Sequence, residues 1–136
     1  FFNGPAQEFK SNIYKDKGIE ITNSQLCSEL LLPVSSDESF VCDLSSINAA
    51  HYEEYKDTDV VEVVVYLLEA VMTEFIEKLE KYRDSDSQED QLTFMYMERA
   101  YNFAKRHRAL GVGILGLHTY YQKNMMSLSL NLLYFA

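Results

Sequence analysis

Two thiols and one carboxylate lie within a single short stretch, Gln25 to Asn48, which reads QLCSELLLPVSSDESFVCDLSSIN. Cys27 and Glu29 are two positions apart, and along an extended chain that spacing turns both side chains to the same face. A thiol and a proton acceptor are therefore expected to address one bound molecule. Leu26, Leu30, Leu31 and Leu32 surround the pair, which predicts a face lying deep in a fold. Cys27 is expected to be a reaction centre, and the chain one piece of a larger enzyme.

The other residues with chemical capacity are less organised. His51, His107 and His118 have no metal-ligand spacing with one another or with the cysteines, and two cysteines alone do not make a zinc site, so no metal is expected. Gly111-Val112-Gly113-Ile114-Leu115-Gly116 matches a dinucleotide-binding pattern. That fingerprint needs a preceding strand and a later acid for the ribose. Here a basic helix precedes it and no acid follows Glu98, so close backbone packing in a strand accounts better for the glycines. Tyr96, Tyr101, Tyr120 and Tyr121 fit core packing with hydroxyls at its edge. The plain reading of Cys27 and Cys42 is as small buried hydrophobes.

The elements that must position these groups follow from the pattern. Residues 1–18 read as loop, with Gly4-Pro5 and Lys17-Gly18 as turn signals. Ile19-Glu20-Ile21 alternates as a short strand would. Leu30-Leu31-Leu32 ends at Pro33, which cannot donate to a ladder. A polar turn, Ser35 to Ser39, leads into a second short strand, Phe40 to Leu44. A long helix is predicted over 59–83, with Asp59 as N-cap and Glu62 as its capping-box partner. Its apolar residues recur at helical period: Val60, Val61, Val64, Leu67, Leu68, Val71, Phe75, Ile76 and Leu79. A second helix is predicted over about 92–108, stopped by Gly111. A Gly-rich strand and a helix should fill 111–136.

Composition excludes several classes. With 47% apolar residues the chain is no disordered tail. Its net charge of −9 opposes a nucleic-acid surface, which needs a basic face. The charge is split unevenly: all 21 acids precede residue 99, and the remainder holds bases only. Such a split invites packing of one half on the other, or an anion at the basic part; a solvated basic helix end is the plain alternative. No stretch reaches the roughly 20 apolar residues that span a bilayer, so no membrane contact is expected. Two cysteines without a leader-like start suggest a reducing, cytoplasmic setting.

The ordered residues resemble a family. Gln25-Leu26-Cys27-Ser28-Glu29 with Leu32-Pro33, then Val41-Cys42-Asp43-Leu44-Ser45-Ser46-Ile47-Asn48, is similar to the catalytic core of class I ribonucleotide reductase large subunits. That family shows N-L-C-x-E-I-x-L-P, a variable loop, and C-x-L-x-S-x-N. Arg106 to Leu117 resembles its R-x-L-G-x-G-x-x-G segment, and the likeness runs roughly from Tyr14 to Lys123.

The resemblance implies an α/β fold, a fragment of a ten-stranded barrel carrying the reactive cysteine on an inner loop, with two long helices. It implies a single barrel segment over 1–136, with a strand and finger-loop region at 19–48. It implies conversion of ribonucleoside diphosphates to deoxyribonucleotides. Cys27 falls where the family has the thiyl radical that takes the ribose 3′ hydrogen. Glu29 falls on the carboxylate that accepts the 3′-hydroxyl proton, and Cys42 on one cysteine of the redox disulfide. Gln25, Leu26, Cys27, Ser28 and Glu29 would line the substrate, Gln25 standing where the family has an asparagine. The implied partners are the rest of the large subunit and a metal-containing small subunit that supplies the radical. An external thioredoxin- or glutaredoxin-type reductant restores the thiols, and no cofactor is expected in this chain. The competing expectation is a non-enzymatic helical interaction module with inert cysteines, its long acidic helix binding a partner.

Overall fold

The computed structural model describes residues 3–25, 27–28 and 30–127. They form two compact units, one of residues 1–41 with 74–108 and the other of 42–73 with 109–136. The first unit holds α1 (Asn3–Phe9), α2 (Asn12–Asp16), the later part of α4 (Val60–Arg83) and α5 (Gln88–His107). The second holds β1 (Leu44–Asn48), a 3-10 turn at Ala49–His51, α3 (Tyr52–Tyr55), the earlier part of α4, β2 (Gly111–Leu115) and α6 (Leu117–Lys123).

β1 and β2 pair in parallel, Leu44 opposite Gly111 through Asn48 opposite Leu115. Parallel neighbours need a long crossover, and α3, α4 and α5 all lie within this one. A parallel pair joined through helices is the α/β arrangement expected. Gly111 lies close against Leu44, whose side-chain end would have to shift to admit a Cβ there. Gly116 is needed for its left-handed backbone, φ 71°, which turns the chain from β2 into α6 beside Asn48.

α4 starts where its first intrahelical bond predicts: the Val63 N–H donates to the Asp59 carbonyl at 2.8 Å. Its buried stripe is Leu68, Met72, Ile76 and Leu79, one helical face in which Met72 does the work of a branched aliphatic. Val60, Val61, Leu67 and Val71 are exposed despite fitting the same period. α5 begins at Gln88, earlier than the apolar period suggests. The Ser85 hydroxyl organises that start, donating to Asp90 at 2.6 Å and accepting the Ser87 N–H at 3.1 Å. The helix ends at Arg108, in the left-handed conformation with φ 44°, so Gly111 is free to serve in β2.

Two short strands predicted from alternation fall elsewhere. Ile19–Ile21 has no ladder; Lys10 Nζ donates to the Ile19 carbonyl and Gln7 Nε2 to the Ile21 carbonyl, each at 2.6 Å. Phe40 turns edge-on to Phe103 instead of entering a sheet, and the strand begins at Leu44, where the partner register with β2 begins. The core of the first unit is Ala6, Ile21, Ile76, Leu79, Tyr101, Phe103 and Ala104; that of the second is Ala49, Leu68, Met72 and Tyr121.

Candidate active site

Gln25, Cys27, Ser28 and Leu30 belong to a clamped finger. The Ser28 N–H donates to the Gln25 carbonyl at 3.0 Å, closing a four-residue turn with Cys27 in its third position. At the base, the Gln25 N–H donates to the Leu30 carbonyl at 3.4 Å, and Gln25 Oε1 accepts the Leu30 N–H at 2.8 Å. Ser28 takes a left-handed φ of 60°. The expectation of an extended Cys27 segment is thereby corrected: the chain turns at the cysteine, so alternation does not decide which way its neighbours face. Leu26 and Glu29 lie outside the described residues. The Cys27 thiol is free and exposed at the tip, not deep in an apolar face. Cys42, in the second unit, is exposed as well. Neither is a buried hydrophobe.

Both flanks of the finger are held within the first unit. Ahead of it, the Ile19 N–H donates to the Tyr14 carbonyl at 2.9 Å, and Tyr14 sets its ring edge-on to His107 at 5.8 Å. Behind it, the segment Ser35–Phe40 is strapped along α5. Arg99 Nη2 donates to the Ser35 carbonyl at 2.8 Å, Asn102 Nδ2 to the Asp37 carbonyl at 3.1 Å, and the Ser39 N–H to the Arg99 carbonyl at 3.0 Å. Glu38 accepts from Arg106 Nη1 at 3.1 Å and contacts His107 Nε2 at 3.2 Å. Burial, and then the Glu38 charge, push the Tyr14 phenol above its usual range. A cavity of 420 Å³ lies between these parts, lined by Ile13, Tyr14, Lys17, Ile19, Arg106 and His107.

The basic run Lys105-Arg106-His107 is thus more than a favourable helix end. Lys105 pairs with Glu80 at 2.6 Å, and its two successors address Glu38. Sequence reasoning missed this strap. The available signal was Arg99, Asn102, Phe103, Arg106 and His107 recurring on one helical face.

In the second unit, Asp43 immediately follows Cys42. Its Oδ2 is buried and has no hydrogen-bond partner among the described residues. Burial first, and then the Glu69 charge, hold its carboxyl above the usual carboxylate range. The larger cavity, 620 Å³, also lies in this unit, near the carboxyl ends of β1 and β2. Apolar residues and tyrosines line it, including Ile47, Tyr52, Val112, Ile114 and Tyr120. Neither cysteine is among its lining residues. Among the described residues, no group of three His, Cys, Asp or Glu side chains could hold a metal ion, and no helix is long and apolar enough to cross a membrane.

Residues 8–129 match the family described as ribonucleotide reductase, barrel domain. The chain belongs to that family. The α/β pairing of β1 with β2 is accordingly a fragment of the reductase barrel, as the sequence resemblance implied. The chain is 36% identical over 110 residues to a protein of Frog virus 3 (isolate Goorha) provisionally named a ribonucleoside-diphosphate reductase large subunit, covering 81% of this chain and 18% of that one. It is 36% identical over 102 residues to the ribonucleoside-diphosphate reductase large subunit of Invertebrate iridescent virus 6, covering 74% of this chain and 9% of that one. Among solved structures, the class Id ribonucleotide reductase alpha subunit of Actinobacillus ureae superposes with a TM-score of 0.75 at 44% identity. That match covers 93% of this chain and 22% of the alpha subunit. The reductase fragment therefore spans about a fifth or less of the length of these relatives.

Proposed function

We propose that this chain supplies the central catalytic segment of a ribonucleoside-diphosphate reductase large subunit. The observation that carries the proposal is the exposed thiol of Cys27 at the tip of a clamped turn, in a chain of the reductase barrel family. Hydrogen abstraction requires a sulfur presented to one carbon without competing contacts, and a turn tip with a pinned base presents one atom with little conformational freedom.

In this reading Cys27, as a thiyl, takes the 3′ hydrogen of the ribose and becomes a thiol. Glu29 accepts the 3′-hydroxyl proton, and the 2′-hydroxyl takes a proton from the thiol pair that includes Cys42 and departs as water. Cys42 and a second cysteine outside this chain give two electrons and become a disulfide, after which Cys27 returns its hydrogen to the 3′ carbon. Gln25 orients the sugar along with Leu26, Ser28 and Glu29. The radical comes from a metal-containing small subunit, and a thioredoxin- or glutaredoxin-type protein reduces the disulfide in a cytoplasmic setting. The remaining large-subunit polypeptide completes the barrel.

Membership in the reductase family favours this reading over a helical interaction module with inert thiols. The test is deoxyribonucleoside diphosphate formation by the chain together with the rest of the large subunit and the small subunit. Cys27→Ser should abolish it; undiminished product would refute the assignment.

A further inference from the structure

Glu38 is a buried charged residue, 6% exposed. A carboxylate taken out of water is destabilising unless donors replace the lost hydration. Here two do, Arg106 Nη1 at 3.1 Å and His107 Nε2 at 3.2 Å. His107 is itself fixed, stacked on Phe103 at 4.6 Å and met edge-on by Tyr14 at 5.8 Å. The position of Glu38 along the chain makes this arrangement consequential. It stands eight residues after Leu30, the far base of the finger, while Tyr14 stands eleven before Gln25, the near base. Chain entering the finger and chain leaving it are therefore moored at one buried cluster on the end of α5.

We propose that Glu38 is a positioning residue for the Cys27 thiol. Its carboxylate locks the strap Ser35–Phe40 onto α5 and gathers Tyr14 to the same point, so that the finger projects from a base fixed on both sides. A neutral or missing group there leaves Arg106 and His107 facing each other without the charge that holds them. Both flanks then loosen together, and the thiol at the tip moves with them. The catalytic part of this inference rests on the reductase reading; the mechanical part does not.

The test uses the full chain in a Cys42→Ser background, with a nitroxide spin label on Cys27. In the parent the label should give a broadened, restricted spectrum, and Glu38→Gln should narrow it. Asn102→Ala, which removes a single strap bond from the same face of α5, should narrow it less and guards against Glu38→Gln failing to fold. An unchanged spectrum in Asn102→Ala and in any folded Glu38→Gln protein would overturn the proposal. In the assembled reductase with Cys42 restored, Glu38→Gln should lower kcat toward the roughly hundredfold loss that about 1 Å of misplacement can cause, with KM for the diphosphate within twofold. Cys27→Ser serves as the parallel arm: if it stays active, the reductase reading fails whatever Glu38 does. If it is dead while Glu38→Gln turns over normally, positioning by Glu38 fails and the reductase reading stands.

Discussion

Gln25 Oε1 accepts the backbone N–H of Leu30 at 2.8 Å, five residues along the chain. A side-chain amide here does what a neighbouring strand would otherwise do, satisfying the donor at the base of the finger. In the reading proposed above, the same residue takes the place of an asparagine that addresses the sugar. Its longer stem thus has a structural use in this protein, and its oxygen is already committed.

That commitment predicts how Gln25 responds to substitution. Gln25→Leu removes the acceptor and leaves the Leu30 N–H without it, costing roughly 1 kcal/mol. The Leu30 amide should then exchange with solvent several-fold faster by hydrogen-exchange mass spectrometry. Gln25→Asn, one methylene shorter, should give an intermediate rate. Equal rates in all three proteins would show that the side chain is no clamp.

The two thiols should both be reactive in the folded chain. Cys27 and Cys42 are exposed, so an aromatic disulfide reagent should titrate two equivalents without denaturant. Recovery of thiols only after unfolding would mean that at least one is buried.

Asp43 should make stability depend on pH. Its carboxyl is held above the usual range by burial and by Glu69, so the fold favours its protonated form. The corresponding stability is fully present below the ordinary aspartate range, near pH 4, and is lost as pH rises through the raised folded value. Asp43→Asn, which cannot ionise, should melt a few degrees higher than the parent at pH 7 and match it near pH 3. A gain that persists at low pH would point to a cause other than ionisation.

Gly116→Ala tests the entry to α6. The left-handed φ of 71° strains any residue with a Cβ, and that atom would also collide with the Asn48 side chain. The expected loss is on the order of 1–3 kcal/mol, seen as a lower midpoint in thermal or urea unfolding. Gly4→Ala, where an added Cβ meets open space, should change the midpoint by much less.

Much of this protein was legible in the chain alone, because it rests on local pattern. The helical period carries α4 to within a residue of its ends, and the glycine run 111–116 belongs to close-packed strand and turn, as the missing strand and ribose acid had indicated. The ordered residues around Cys27 and Cys42 were enough to point to the reductase family. What the sequence could not decide were the partners of backbone groups. Ile19–Ile21 alternates like a strand, yet Gln7 and Lys10 reach its carbonyls first. The spacing of Cys27 and Glu29 predicts extension, while a turn closed by Gln25 and Ser28 bends the chain there. Arg106 and His107 read as a solvated helix end until Glu38, far away in sequence, came to lie between them. Periodicity records which face of an element is apolar, whereas these outcomes depend on which donor arrives at which acceptor. Only the tertiary structure brings distant residues within a hydrogen bond's length, and so it alone decided them.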